Sequence, residues 1–179
     1  ARPGPGVARE AARLLTQTYS SDAPGGAVLV ARGDTVLFRG ARGLADLGTR
    51  APLRPDAVFR IASLTKQFAA AGLLTLVDAG RVSLDDPLSK YVPDFPGGER
   101  ITVAQLLDHT AGVKEYTSLR GYLKGPIGGE LTTAQMIDVF RHAPPDFPAG
   151  AKWSYSNSGY VLVGAVIEAE RSLGGATVY

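Results

Sequence analysis

The stretch Phe59–Lys66 reads FRIASLTK, and the chain continues as QFAAAGLLTLVDAG to Gly80. Beyond its first turn the segment Ser63–Ala79 is apolar on almost every side, which predicts a helix that is buried on most sides. Gly80 is the residue type that commonly ends a helix. Ser63 and Lys66 are three positions apart, so a helix places them on one face about one turn apart, with the ammonium near the hydroxyl.

This serine and lysine together have the chemistry of an activated nucleophile. A serine hydroxyl is a weak nucleophile until a neighbouring base takes its proton, and lysine serves as that base when burial or positive charge lowers its pKa. A lysine in the first turn also departs from the usual electrostatic preference, because the positive end of a helix favours acidic residues. Such departures are often found at functional sites. The free N–H groups there suit an oxyanion. The alternative is that Ser63 only caps its helix and Lys66 extends to water.

A second group of candidate residues lies in KWSYSNSGY, which spans Lys152–Tyr160. The phenol of Tyr155 can act as a general base if nearby cations lower its pKa from about 10. The amide of Asn157 can orient a substrate carbonyl or hold the lysine through hydrogen bonds. The structural alternative is that Asn157 is the N-cap of the last helix and that Tyr155 belongs to the core.

Around these motifs the sequence predicts a helix, a hairpin and then a mostly helical segment. The two convincing strands, 27–31 and 35–38, are joined by Arg32-Gly33-Asp34, and the glycines of Gly40–Gly43 suggest a bend or close packing. Residues 50–56 are predicted to form a loop. The other predicted helices are 7–19, a short one after Thr102, one from Thr132 or Thr133 to Arg141, and Ser158–Arg171. We assign residues 1–50 to an α/β part and residues 51–179 to a mostly helical part that carries both motifs.

Composition excludes several classes of function. The 179 residues are 45% hydrophobic and 20% charged, with a net charge of +2 and no cysteine. No basic run is present, so nucleic acid is not an expected partner. Two histidines and no thiolate give no convincing metal site, and no cofactor is expected. The apolar stretches are far shorter than the ~20 residues that span a bilayer. The first ten residues, ARPGPGVARE, lack the apolar region of a signal peptide.

The two motifs occur with several further phrases, namely LDDPLSKYVPDFP, ITVAQLLDHTAG and FPAGAKWSYSNSGYVLVGAVIE. Over residues 25–170 this combination resembles the serine β-lactamase and penicillin-binding superfamily. The similarity is to the branch of class C β-lactamases, D-alanyl-D-alanine carboxypeptidases and family VIII esterases. It implies an α+β, β-lactamase/transpeptidase-like fold, an antiparallel sheet with flanking helices plus a helical region. It also implies a periplasmic or secreted location.

The resemblance implies a role for each candidate residue. Ser63 would be acylated by a β-lactam, D-alanyl peptide or ester carbonyl, and its backbone N–H would be one oxyanion donor. Lys66 and Tyr155 would share the proton shuttle that activates the serine and later the hydrolytic water. Asn157 would contact the substrate amide and Lys66. His109, in the phrase HTAG, is interpreted as structural, beside a helix end and a tight turn at Gly112.

The sequence departs from the family pattern in length and in its third motif. Family members are about twice as long, and their later strands carry Lys-Thr-Gly or His-x-Gly, whereas Lys124-Gly125-Pro126 has the wrong order and chemistry. Three explanations stay open: the C-terminal strands belong to a longer protein, a second chain or copy supplies them, or the chain is a natural short form with weak or lost catalysis. We prefer the first, because the visible motifs are intact. A non-catalytic penicillin-fold fragment that binds a ligand or partner is the alternative function.

Overall fold

The computed structural model describes residues 6–120 and 131–174, with the side chains of 172–174 excepted. The chain divides into two units, Ala1–Arg60 and Ile61–Tyr179, each with its own internal packing. The segment Lys124-Gly125-Pro126 lies outside the described residues. Within the described ranges no helix combines the length and the apolar character needed to cross a bilayer.

The first unit is built from helix α1 (Gly6–Thr18) and the antiparallel hairpin of β1 (Gly26–Arg32) and β2 (Thr35–Arg42). The hairpin register runs from Gly26 opposite Arg42 to Arg32 opposite Thr35. Leu15 is the buried residue of α1, and this helix packs on β2. The predicted first helix and both predicted strands are confirmed; β1 extends one residue further at each end, and β2 extends four residues further at its C-terminal end.

Two short strands follow, β3 (Leu44–Asp46) and β4 (Ala51–Pro52), which pair antiparallel as a separate small sheet. The prediction of a loop over residues 50–56 was therefore wrong at its start, because strands of two or three residues are too short to give an alternating pattern. The expected close packing of the glycines is confirmed at Gly43. Its φ is 94°, and an added Cβ would lie 2.4 Å from the Cα of Gly25.

The second unit is helical. A 3-10 turn, Ala62–Leu64, leads into α2 (Thr65–Asp78), and α5 (Asn157–Gly174) packs against α2 and against the short helices α3 (Val103–Leu107) and α4 (Thr133–Asp138). Further 3-10 turns lie at Leu88–Lys90, Gly98–Arg100 and Tyr116–Ser118. The core is formed by fully buried side chains from these elements, among them Leu73, Leu88, Val103, Leu106, Phe140, Leu162, Val163 and Val166.

The short helices begin where their sequences predict. Thr102 and Thr132 are N-caps, and in each case the hydroxyl accepts from the backbone N–H of a glutamine three residues on, Gln105 or Gln135. In turn, the side-chain oxygen of the glutamine accepts from the backbone N–H of the threonine, which completes a capping box. Such caps satisfy N–H groups that have no partner within a helix.

The prediction that α2 is buried on most sides was wrong. Leu73 and Leu76 are buried, but Leu64, Phe68 and Leu74 are exposed, Phe68 to 63%. The burial is one-sided because α5 packs along one face of α2, where Ile167 Cδ1 lies 4.0 Å from the position of a Cβ on Gly72. An all-round apolar composition shows which faces of a helix are suited to burial, but it does not show what covers them.

Candidate active site

The serine of the predicted pair lies just before the helix rather than in it. Ser63 is the middle residue of the 3-10 turn Ala62–Leu64, and Lys66 is in the first turn of α2. The turn continues directly into the helix, so the two side chains still meet, with Lys66 Nζ 3.4 Å from Ser63 Oγ. Ala62 has a φ of 47°. A left-handed conformation is strained for a residue with a Cβ, and such strain is concentrated at functional sites.

Tyr155 comes to the serine from a position 92 residues away in the sequence. Its phenolic oxygen lies 2.7 Å from Ser63 Oγ. The neighbouring Lys66 ammonium and the Ser63 hydroxyl lower the pKa of Tyr155, because both stabilise the phenolate. Tyr155 is 42% exposed, so the interpretation that it belongs to the core was wrong. The phenol is therefore accessible and in hydrogen-bond contact with the hydroxyl.

The ammonium of Lys66 has aromatic and amide partners as well as the serine. Its Nζ lies 4.8 Å from the centre of the Tyr155 ring and 5.6 Å from that of Tyr160. It donates to the Oδ1 of Asn157 at 2.7 Å. These contacts hold the cation beside the Ser63–Tyr155 pair. The interpretation that Lys66 merely extends to water was wrong, because its side chain is bound at the start of α2.

Asn157 is the first residue of α5, but its side chain does not cap the helix. The cap is Ser156, whose Oγ accepts from the backbone N–H of Gly159 at 2.9 Å. The N-cap interpretation of Asn157 was therefore wrong. Because Ser156 takes that role, the amide of Asn157 is free to bridge Lys66 and a carboxylate from elsewhere in the unit.

That carboxylate belongs to Glu115, which sequence reasoning missed. Its oxygens accept from the backbone N–H of Asn157 at 2.6 Å, from Asn157 Nδ2 at 2.9 Å and from the N–H of Ser158 at 3.3 Å. Burial raises the pKa of Glu115, but the bonds donated by Asn157 and Thr117 outweigh burial and leave this pKa below its ordinary value. No sequence signal identifies the residue, since it lies in an irregular segment 42 positions before its main partner.

His109 was interpreted as structural, and it lies directly against the site. Its φ is 66°, and its Nδ1 accepts from the backbone N–H of Ser156 at 3.2 Å. Its ring packs against Tyr155, tilted by 40° with centroids 4.7 Å apart, and against Tyr160, tilted by 39° with centroids 5.2 Å apart. Burial, and then the positive charge of Lys66, lower the pKa of His109. The neutral imidazole thus packs behind the phenol.

The second unit also has a cavity of about 620 Å³ that is separate from these groups. It is lined mainly by apolar side chains, by charged ones that include Lys114 and Asp146, and by none of the candidate residues. Ser63 is the candidate nucleophile instead, because a reactive hydroxyl requires an adjacent base and, in the described part of the chain, only the exposed start of α2 brings a hydroxyl and possible bases together.

A hydroxyl, an ammonium and a phenol thus lie in mutual contact at the start of a helix, and these are groups that can activate a serine nucleophile. The chain belongs to the family described as Beta-lactamase, whose model matches residues 9–174. The fold is accordingly α+β and β-lactamase/transpeptidase-like, as the sequence predicts. The described part of the chain contains the hairpin and the helical region of that fold.

The relatives that this chain resembles include an esterase, an amidohydrolase and a penicillin-binding protein. It is 36% identical over 161 residues to esterase EstB of Burkholderia gladioli, a match that covers 80% of this chain and 40% of the esterase. A D-stereospecific amidohydrolase from Streptomyces sp. superposes with a TM-score of 0.76 at 31% identity, over 95% of this chain and 50% of that one. A penicillin-binding protein from Bacillus halodurans gives a TM-score of 0.71 at 32% identity, over 84% and 45%. The chain thus spans half or less of each relative.

Proposed function

We propose that this chain carries the nucleophile and the proton-transfer groups of a serine hydrolase that works through an acyl-enzyme. Ser63 is the nucleophile, and Lys66 and Tyr155 move its proton. The observation that carries the proposal is the contact of the Ser63 hydroxyl with both partners, Tyr155 at 2.7 Å and Lys66 at 3.4 Å. A base in hydrogen-bond reach is the requirement for activating a serine.

In the acylation step the Ser63 Oγ–H bond breaks as Oγ bonds to the substrate carbonyl carbon. The proton passes to Tyr155, whose phenolate is stabilised by the Lys66 ammonium. The backbone N–H of Ser63, at the positive start of α2, is assigned as one donor to the oxyanion. When the tetrahedral intermediate collapses, the proton moves from the phenol to the leaving nitrogen or oxygen, and the ester of Ser63 remains.

In the deacylation step the same groups act on water. Tyr155 takes a proton from the water while the water oxygen attacks the ester carbon. The proton is then returned to Ser63 Oγ as the ester bond breaks. Asn157 is assigned to the substrate amide and to Lys66. These roles follow the family resemblance and are consistent with the bond from Lys66 to Asn157 Oδ1.

The substrate class of the proposal is a β-lactam, a D-alanyl peptide or an ester. The same nucleophile attacks all three carbonyls, and the relatives include an esterase, an amidohydrolase and a penicillin-binding protein. We include a periplasmic or secreted location in the proposal, since cell-wall peptides and β-lactams are encountered there. A second chain or copy that supplies further strands stays a prediction.

The test is intact-mass measurement after incubation with a β-lactam, a nitrophenyl ester and a fluorophosphonate. We expect a covalent adduct that maps to Ser63 and is absent from Ser63→Ala and from the heat-unfolded protein. The unfolded control shows that the reactivity depends on the assembled site and not on an ordinary serine. A folded, complete protein that forms no adduct with any probe would overturn the proposal and favour the non-catalytic binding function.

A further inference from the structure

The carboxylate of Glu115 is saturated by donors around the start of α5. One oxygen accepts from the backbone N–H groups of Asn157 and Ser158, and the other accepts from Asn157 Nδ2 and from the hydroxyl of Thr117, the last at 2.8 Å. A negative charge at the N-terminus of a helix of 18 residues is electrostatically favourable. Glu115 therefore stabilises the helix start and at the same time holds one side chain of the site.

The backbone of Glu115 is itself fixed from the opposite direction. Its N–H donates to Asp146 Oδ2 at 3.1 Å, and Asp146 forms an ion pair with Lys114 at 2.7 Å. The carboxylate is thus held at its backbone by one loop and at its oxygens by the helix start. A residue restrained in this way has a defined position from which to orient a neighbour.

The chemistry of the amide makes this contact directional. A carboxylate only accepts hydrogen bonds, whereas an amide has one accepting end and one donating end. Asn157 must present Nδ2 to Glu115, so its Oδ1 faces the ammonium of Lys66, which only donates. A flipped amide would oppose Oδ1 to the carboxylate and Nδ2 to the ammonium, and both hydrogen bonds would be lost.

We propose that Glu115 is a positioning residue of the site, which sets the orientation of the Asn157 amide and through it the place of Lys66 beside Ser63 and Tyr155. The contact of Glu115 with Asn157 rests on the hydrogen-bond geometry alone. The effect of that contact on the reaction rests on the proposed function. Glu115 touches none of the reacting atoms. Its effect on the reaction passes through Asn157 Oδ1, which accepts from Lys66 at 2.7 Å.

The decisive experiment reverses the polarity of the contact. In Glu115→Gln one oxygen can still accept from the backbone N–H groups at the start of α5, but the amide nitrogen now donates towards residue 157. The Asn157 amide must then turn its Oδ1 to Gln and its Nδ2 to Lys66. In Asn157→Asp alone two carboxylates face each other. In the double variant, Glu115→Gln with Asn157→Asp, the amide introduced at position 115 donates to the carboxylate introduced at position 157. The second oxygen of that carboxylate accepts from Lys66.

We therefore expect Glu115→Gln to have opposite effects in the two backgrounds. With Asn157 present it should slow fluorophosphonate labelling of Ser63 by about 10- to 100-fold, by analogy with the loss that follows when the outer hydrogen-bond partner of a metal ligand is removed. With Asn157→Asp present it should speed labelling. A purely structural defect would lower stability without such a reversal of sign between the two backgrounds.

The same labelling series separates this inference from the proposed function. Wild-type protein that is not labelled at Ser63 contradicts the function, whatever Glu115 does. A change of the same sign in both backgrounds, with all four proteins folded by circular dichroism, contradicts the positioning role. Nuclear magnetic resonance of the wild-type Asn157 side-chain amide requires no variant. Its NH₂ protons should report a hydrogen bond to a carboxylate, and a bond to any other acceptor would also overturn the inference.

Discussion

The imidazole of His109 lies against the ring of Tyr155, with centroids 4.7 Å apart, while its Nδ1 accepts from the backbone N–H of Ser156. A nitrogen that accepts must be unprotonated, so the arrangement requires a neutral histidine. The segment that carries the phenol is thus tied to a group that must stay uncharged, and burial together with the charge of Lys66 lowers the pKa of that group.

The first prediction concerns acid sensitivity. Burial and the charge of Lys66 lower the pKa of His109, against the opposing effects of Asp108 and Glu115. The unfolded chain therefore binds this proton at a higher pH than the folded chain, and stability falls as pH drops below about 6.5 towards the lowered value. Labelling of Ser63 should fall over the same pH range, because protonation of His109 removes its bond to Ser156.

The variant His109→Asn checks this assignment, because asparagine tolerates the positive φ. It should flatten the pH dependence of stability in urea unfolding and the pH dependence of Ser63 labelling. Unchanged profiles in that variant would assign the acid sensitivity to another group.

The second prediction concerns Lys66. Lys66→Ala should slow labelling of Ser63 by about 10²- to 10⁴-fold, the usual contribution of a positioned acid or base. Because the Lys66 ammonium lowers the pKa of Tyr155, the alkaline midpoint of labelling should lie below 10 in wild type and move up towards about 10 in the variant. The measurement is the labelling rate as a function of pH. Wild-type rates in this variant would remove the lysine from the mechanism.

The third prediction concerns the phenol. Tyr155→Phe keeps the ring against His109 and removes only the oxygen at 2.7 Å from Ser63 Oγ, so labelling should slow while the thermal unfolding midpoint is retained. Tyr160→Phe is the matched control. It removes a hydrogen bond to the Leu107 carbonyl but keeps the ring that faces Lys66, and it should cost about 1 kcal/mol of stability with little change in rate. Unfolding of Tyr155→Phe would instead indicate a structural phenol.

The fourth prediction concerns the turn at Gly112 in HTAG. Its φ is 69°, and an added Cβ would lie 2.0 Å from the backbone oxygen of Phe147. Gly112→Ala should destabilise the protein by more than the ~1–2 kcal/mol of the left-handed conformation alone, because the backbone must also move. Gly164→Ala in α5 meets nothing within 4 Å and should stabilise by up to about 1 kcal/mol. Urea unfolding of both variants checks the contrast, and equal effects would contradict it.

The fifth prediction concerns Asp86 in LDDPLSKYVPDFP. Burial raises the pKa of Asp86, but bonds from Lys90, Tyr91 and the N–H of Ser83 outweigh burial and lower this pKa to about 2. A shift of this size corresponds to about 2 kcal/mol, present above pH ~4 and lost as pH falls towards 2. Asp86→Asn should lose this amount at pH 7 and show a flatter acid dependence in urea unfolding. The exposed neighbour provides the control, since Asp85→Asn should change stability by less than ~0.5 kcal/mol.

The sequence by itself determined the local structure and the types of candidate residue. The three-residue spacing of Ser63 and Lys66 brings them together in any helical turn, and Thr102 and Thr132 begin their helices through hydrogen bonds to residues three positions on. These results depend on contacts within one turn of chain, which sequence patterns encode directly. The family resemblance added the fold class, because several phrases at defined separations are far more specific than any one motif.

The tertiary structure decided the contacts between distant residues. Three contacts depend on the path of the intervening chain: the approach of Tyr155 to Ser63, the hydrogen bonds between Glu115 and Asn157, and the packing of His109 against the phenol ring. The one-sided burial of α2 has the same origin, since hydropathy describes a face and not its neighbour. A hydrogen bond or a packing contact is formed between two surfaces, and a linear pattern specifies only one of them at a time.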